Sequence, residues 1–210
     1  MRRVKPTIRR VDAQDAYALA SIHAASWRSA YRGMLRDDFL DGDLVRNRLA
    51  LWTKRLGPVP EGHFGYVAHT ADEPTGFAFA FGAHDPEWGT QIDNLHVLPS
   101  ERGRGLGKQL LLNLVTQASL TYPDEGLYLW VYEKNDNARR FYEALHGEAV
   151  ERVVIDAPGG GELAEWRYVW RQARSLLGAI EGDAKHVAQP ERQRQTILPI
   201  GRTASKDTSA

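Results

Sequence analysis

Between Ile92 and Leu111 the chain reads Ile-Asp-Asn-Leu-His-Val-Leu-Pro-Ser-Glu-Arg-Gly-Arg-Gly-Leu-Gly-Lys-Gln-Leu-Leu. A strand-like segment gives way to a loop dense in glycine, and a helical pattern follows. The first amides of a helix have no internal partners and carry partial positive charge, so this junction suits phosphate. Gly103, Gly105 and Gly107 leave the backbone bare toward an anion, and Arg102, Arg104 and Lys108 add positive charge. A Walker loop is excluded, since it needs glycine where Arg102 stands and Ser or Thr where Gln109 stands. The dinucleotide fingerprint is excluded by its different glycine spacing. Two other readings are a plain glycine turn and an arginine–glycine contact to RNA, the latter usual in sequence with no apolar helix behind it.

The elements that must position this loop follow from periodicity. Thr7 to Val11 suits a strand, and Asp12 can cap a helix carrying Tyr17, Ala20, Ile22, Ala24 and Trp27 up to Gly33. A second helix is expected from about Asp38 to Lys54, closed by Gly57 and Pro58. Phe64 to His69 and Gly76 to Phe81 are expected strands, joined by a turn at Asp72, Glu73 and Pro74. In the second, bulky and small residues alternate as on a strand with two distinct faces. Gln91 to Val97 is a strand, Leu106 to Leu120 a helix, Leu127 to Tyr132 a strand and Asn137 to Leu145 a short helix. Val150 to Ile155 and Glu165 to Trp170 close the series around Gly159, Gly160 and Gly161. Such an order implies an α/β domain with helices on both faces of one sheet. After Trp170 there is no aromatic residue. Ser175 to Ile180 can extend a helix by a turn or two, and beyond Gly182 a disordered tail is expected. The domain reading is thus residues 5–171, with a C-terminal extension over 172–210.

Composition narrows the function. The 210 residues are 42% hydrophobic, with 27 Lys+Arg against 27 Asp+Glu. A neutral balance gives no electrostatic reason to expect nucleic acid or an anionic membrane as partner. No apolar run is long enough to span a bilayer, and the basic N-terminus lacks a signal-peptide core, so a cytoplasmic protein is expected. The chain has no cysteine, which removes thiolate metal sites and a Cys nucleophile. Its seven histidines form no pair at metal-ligand spacing, and no metal is expected.

Arg102-Gly-Arg-Gly-Leu-Gly107 resembles the R/Q-x-x-G-x-G/A signature of the GNAT superfamily of N-acetyltransferases, and Leu95-His-Val-Leu-Pro99 is similar to the strand before it. Leu129-Trp-Val-Tyr-Glu-Lys-Asn135, followed by Ala138-Arg-Arg-Phe-Tyr142-Glu-Ala-Leu145, resembles that family's strand ending in Asn and its Tyr-bearing helix. Ile8-Arg-Arg-Val and Trp27-Arg-Ser-Ala-Tyr-Arg-Gly33 are similar to its N-terminal pattern. The resemblance covers roughly residues 5 to 171. It implies a mixed, mostly antiparallel sheet, splayed near Asn94 and Trp130 at a cofactor cleft, and acetyl-CoA as co-substrate. Amides of Gly103, Arg104, Gly105, Leu106, Gly107 and Lys108 would cradle pyrophosphate. Main-chain groups of Leu95, His96 and Val97 would meet the pantetheine as an added strand would. Asn135 would bond the pantetheine, and Tyr142 would protonate the leaving thiolate. A backbone N–H near Val97 would polarise the carbonyl. The implied activity is direct acetyl transfer to a small-molecule or protein amine. A CoA-binding sensor without turnover and a transferase of a larger acyl group stay open, and a homodimer is compatible.

Departures from the family pattern bear on the base. Where several members carry Glu on the strand before the Asn, this chain has Trp130; where others carry it on the earlier strand, it has Gln91. Asp93, on the same strand face, is the candidate base, or else a surface or salt-bridged carboxylate. The glycine after the Tyr helix is offset by one residue, at Leu145-His146-Gly147. Trp27, Tyr31, Trp52 and Trp88 are either acceptor-pocket walls or core. Asp37, Asp38, Asp41 and Asp43 either draw in a cationic amine or solvate a helix start.

Overall fold

The computed structural model describes residues 5–57 and 62–187. Seven strands form one sheet: β1 (Thr7–Arg10), β2 (His63–Thr70), β3 (Glu73–Asp85), β4 (Gly89–Val97), β5 (Leu127–Tyr132), β6 (Glu148–Asp156) and β7 (Glu162–Trp170). Their order is β1-β2-β3-β4-β5-β7-β6, and the β4–β5 contact alone is parallel. The helices are α1 (Ala16–Ala30), α2 (Asp37–Asp41), α3 (Leu44–Arg55), α4 (Leu106–Thr121), α5 (Asp136–Glu143) and α6 (Ala173–Val187). The mixed, mostly antiparallel α/β sheet expected from the sequence is the one observed.

The alternation in β3 decides how the layers close. Phe77 and Phe79 face α1 and α3, where they pack with Leu19, Ile22 and the fully buried Trp52. Ala78 and Ala80 face the opposite layer and its Leu110, Leu111 and Leu114. Small residues on that face let α4 sit close, and a Cβ at Gly76 would stand 3.0 Å from Leu110 Cδ1. The hydrophobic stabilisation scales with this buried apolar area, and removing a Trp or Phe from such a core costs about 3–5 kcal/mol.

Several local expectations are corrected. The helix expected over 38–54 is broken in two: Gly42 ends α2, and the Asp43 carboxylate accepts from Arg46 N–H at 3.2 Å to start α3. The β2–β3 turn falls on Ala71 and Asp72, both at positive φ. Pro74 belongs to β3, next to the register shift at Ala68/His69, where a missing N–H is tolerated. Asp12 caps the 3-10 turn Ala13–Asp15 that leads into α1. The short helix expected at 175–180 runs through Ala173–Val187, with Leu176 and Ile180 buried in the core that includes α4. Pro58 and the tail from 188 onward lie outside the described residues.

A polar seam joins the first layer to the sheet. Trp52 Nε1 donates to His23 Nδ1 at 3.1 Å, His23 stacks on His96 at 4.5 Å, and His96 Nδ1 lies 3.1 Å from Ser26 Oγ. Burial pushes His96 down to about 3 and His23 well below its ordinary 6.5, with the neighbouring His96 adding to the effect on His23. Unfolded imidazoles take up protons below about 6.5 while these two stay neutral, so the unfolded state binds more protons in that window. Stability is therefore complete above the unfolded value and falls as pH drops from about 6.5 toward 3, by up to about 1.4 kcal/mol per pH unit for each ring. Calorimetric melting between about pH 7 and about pH 5 should show this loss, and His96→Gln should flatten the slope. An unchanged slope would mean that His96 is not held neutral.

Candidate active site

The glycine loop is built as an amide cradle. After β4 a 3-10 turn, Pro99–Glu101, brings the chain round, and Gly103 (φ 72°) and Gly105 (φ 76°) take left-handed conformations. The first α4 bond runs from Gln109 N–H to the Gly105 carbonyl, 3.1 Å. The N–H groups of Gly103, Arg104, Gly105, Leu106 and Gly107 meet no acceptor among the described residues, and Lys108 lies in the same first turn. A Cβ at Gly103 or Gly105 would find nothing within 4 Å, and one at Gly107 would meet only Val97 Cγ2 at 3.8 Å. The surface is open and positively polarised, which fits a pyrophosphate. Two of the neighbouring cations brace the loop. Arg102 donates to Ser29 Oγ (3.0 Å) and Ser26 Oγ (3.3 Å) on α1, and Arg104 pairs with Glu101 at 2.8 Å.

Beside this cradle the sheet parts. β4 and β5 pair at Thr90↔Leu127 and Gln91↔Tyr128, and no register pair follows. A bulge sits at the parting: Phe79 opposes Asn94 and Ala80 opposes Ile92, so Asp93 is the extra residue that bends β4. Leu98 N–H donates to Thr75 at 2.9 Å, toward β3. By strand alternation His96 turns its main-chain groups to β3 as well. Of the three residues expected to offer backbone to a ligand, Leu95 and Val97 turn their main-chain groups to the open side. His96 contributes its buried ring to the layer beneath. The resulting cavity holds about 920 Å³ and runs from Gly103 and Gly107 to Trp27, Tyr31 and Arg48.

Asn135 and Tyr142 both line this cavity. Asn135 caps α5, its Oδ1 accepting from Ala138 N–H at 3.3 Å. Tyr142 lies about two helical turns further. It is 8% exposed, and its hydroxyl makes no hydrogen bond among the described residues. Its ring packs against Phe141 at 5.0 Å and Trp170 at 6.0 Å. Burial pushes its hydroxyl well above the ordinary phenol range, so it keeps its proton at neutral pH. The offset glycine is explained here. Trp170 Nε1 donates to the Leu145 carbonyl at 2.8 Å, and a Cβ at Gly147 would come within 2.8 Å of that indole.

Asp93 is partly buried beside Arg55, with Oδ2 2.6 Å from the guanidinium, which also reaches Asn94 Oδ1 at 3.0 Å. Burial pushes the Asp93 carboxyl up, and Arg55 opposes it. Of the four aromatics weighed in the sequence, Trp27 and Tyr31 line the cavity and Trp52 is core. Trp88 lies outside it, under Arg167 and Arg171. The Asp cluster is spent locally: Asp37 and Asp41 pair with Arg32, Asp38 pairs with Arg36, and Asp43 caps α3. Sequence reasoning missed Arg48, Arg55 and Glu165 as cavity residues. They come from α3 and β7 and carry no motif, so nothing in the linear order announces that they meet. No group of three or more His, Asp or Glu among the described residues could hold a metal ion, and no described helix is long and apolar enough to cross a membrane.

Residues 19–147 match the model of the acetyltransferase (GNAT) family. The chain is 30% identical over 135 residues to the probable N-acetyltransferase Rv2775 of Mycobacterium tuberculosis, covering 61% of this chain and 72% of that one. Among solved structures, a GCN5-related N-acetyltransferase from Rhodopseudomonas palustris superposes with a TM-score of 0.62 at 22% identity, covering 81% of this chain and 98% of that one. YncA of Salmonella typhimurium, solved with acetyl-CoA, gives 0.57 at 20% identity, covering 80% and 94%. The family match spans more than half of the chain and contains the amide cradle, the parted strands and Tyr142: this protein is an acyltransferase belonging to the GNAT family of acetyltransferases.

Proposed function

We propose that the protein transfers an acetyl group from acetyl-CoA directly to an amine, with Tyr142 as general acid. The observation that carries the reading is the continuity of one cleft. Free amides at Gly103 to Gly107 open onto the unpaired backbone edge of Leu95 and Val97, and that edge leads past Asn135 to the Tyr142 hydroxyl. A pyrophosphate, an amide-bearing arm and a thioester need these features in that order. The acetyl-CoA bound to the related YncA structure supports the same choice.

Acetyl-CoA supplies an activated acetyl thioester. The chain's residues do the rest. The amides of Gly103 to Lys108 hold the diphosphate, and the N–H and C=O groups of Leu95 and Val97 align the arm as an added strand. Asn135 Nδ2 is available to the arm, since Oδ1 is engaged as the cap. In the transfer the new C–N bond replaces the C–S bond. The amine's proton passes to a carboxylate or water in the cleft, and Tyr142 donates its own proton to the departing sulfur. Asp93, the base expected from sequence, is held by Arg55. In this reading the pair sets the floor of the acceptor side, and Asp93 takes a proton only with Arg55 as its neighbour.

Two outcomes test the reading. Gly105 is at positive φ, so a substitution there strains the backbone as well as filling the cradle. Gly107 is the cleaner site. Gly107→Asp adds an acidic side chain to a first helical turn, worth about 0.3–1 kcal/mol to the helix, yet sets a negative charge against the diphosphate. Calorimetry should show CoA affinity down about tenfold or more with the melting temperature held; unchanged affinity would remove the cradle. Tyr142→Phe removes one oxygen and keeps the ring packing. Its kcat should fall about 10²-fold or more with CoA affinity unaltered, and equal turnover where chemistry limits the rate would make Tyr142 a packing residue.

A further inference from the structure

Beyond the thioester end, the cleft finishes in a box with two charges that have no ionic partner among the described residues. Its walls are Trp27 and Tyr31 from the α1 side and Tyr132 from β5, with ring centroids 5.4 Å apart for Trp27–Tyr31 and 5.0 Å for Tyr31–Tyr132. Glu165 of β7 stands in register with Tyr132 and lines the cavity. Its carboxylate makes no hydrogen bond or ion pair among the described residues, and burial pushes it up. It lies within electrostatic reach of both Tyr31 and Tyr132, and Tyr31 is also within reach of Tyr142. Glu165 and Tyr142 therefore both lie in the neighbourhood of Tyr31 and line the same cavity.

The other end of the box is Arg48. Its guanidinium lies 4.5 Å over the Trp27 ring, is half-buried and lines the cavity. It donates only to the neutral Asn47 side chain, and no carboxylate stands within 4.0 Å of it among the described residues. Asp93, the nearby anion, already holds Arg55. Tyr132 lies within electrostatic reach of both Glu165 and Arg48. Two opposite charges lining one aromatic-walled cavity, each without an ionic partner among the described residues, form a dipolar receptor. A half-buried guanidinium without a counter-ion is costly unless a ligand supplies one.

We propose that this box takes a small amine that also carries an anionic group, an amino acid in the general sense, with Glu165 receiving the ammonium and Arg48 the anion; this rests on the transfer reading above. Glu165, next to the amine, then accepts the proton that must leave before nitrogen attacks. A polyamine fits less well, because its second cation would meet Arg48. A lysine side chain on a protein brings no anion to Arg48.

The test measures thiol release at saturating acetyl-CoA with L-phenylalanine, L-methionine, β-alanine and γ-aminobutyrate, each beside its carboxamide, and with spermidine and a lysine peptide. At least one amino acid should exceed its carboxamide in kcat/KM by about tenfold or more. Arg48→Met, which keeps a stem over Trp27, should bring that ratio toward one, chiefly through KM, with CoA affinity held. Glu165→Gln should slow the amino acid and its carboxamide alike. If carboxamides, spermidine or the peptide react as well as the free amino acids, or if the ratio survives in Arg48→Met, the receptor is wrong and the transferase reading stands. If no amine in the panel releases thiol while CoA still raises the melting temperature, the proposal is overturned with CoA binding intact. If CoA gives no such rise, the transfer reading falls and takes the proposal with it.

Discussion

The parting of β4 from β5 is the constraint on which the rest of this structure depends, because a sheet whose strands stop pairing must do something with the exposed backbone. Two register pairs hold the strands together, and the Asp93 bulge then bends β4 away. On the far sides the neighbours continue normally: β3 pairs β4 as far as Val97, and β7 pairs β5 as far as Tyr132. The opening is therefore a fixed feature of a stiff sheet. Its free edge at Leu95 and Val97 is costly when dry, and a ligand that supplies matching amide groups offsets that cost.

The layers on either side of the opening are built so that it neither closes nor widens. On one face, Trp52, His23 and His96 link α1 and α3 to the sheet through a buried hydrogen bond and a ring stack, and Arg102 ties the glycine loop to Ser26 and Ser29 on α1. His96 and the glycine loop thus share α1 as support. On the other face, the Trp170 indole bonds the Leu145 carbonyl and fills the space that Gly147 leaves, which sets the end of α5 and with it the Tyr142 ring. The Tyr142 ring is held by packing, and its hydroxyl makes no hydrogen bond among the described residues.

Electrostatics divides the cleft by purpose. At the glycine-loop end the main chain supplies the positive potential, while Arg102 and Arg104 brace the loop through Ser26, Ser29 and Glu101. In the middle, Asp93 and Arg55 neutralise each other. At the far end of the cavity, Glu165 and Arg48 remain as separate charges among aromatic rings. A low-dielectric box makes each of these charges count for more than it would in water.

The sequence by itself determined the local chemistry and the element order. Gly103, Gly105 and Gly107 ahead of an apolar helix, the Asn135 to Tyr142 interval, and the large–small alternation of Phe77, Ala78, Phe79 and Ala80 are short-range patterns, and each became the element it implied. Local signals also misled where breakers were subtle: Gly42 and Asp43 split one expected helix, and Pro74 entered a strand beside a bulge. Only the tertiary structure decided which side chains line the far end of the cleft. Arg48, Arg55, Tyr132 and Glu165 come from three elements far apart in the chain, and whether a carboxylate such as Asp93 is free or held depends on a residue 38 positions away. Periodicity reports which face a residue occupies, but not which distant side chain shares that face. That pairing is set by the order and register of strands, through contacts that no window of sequence contains.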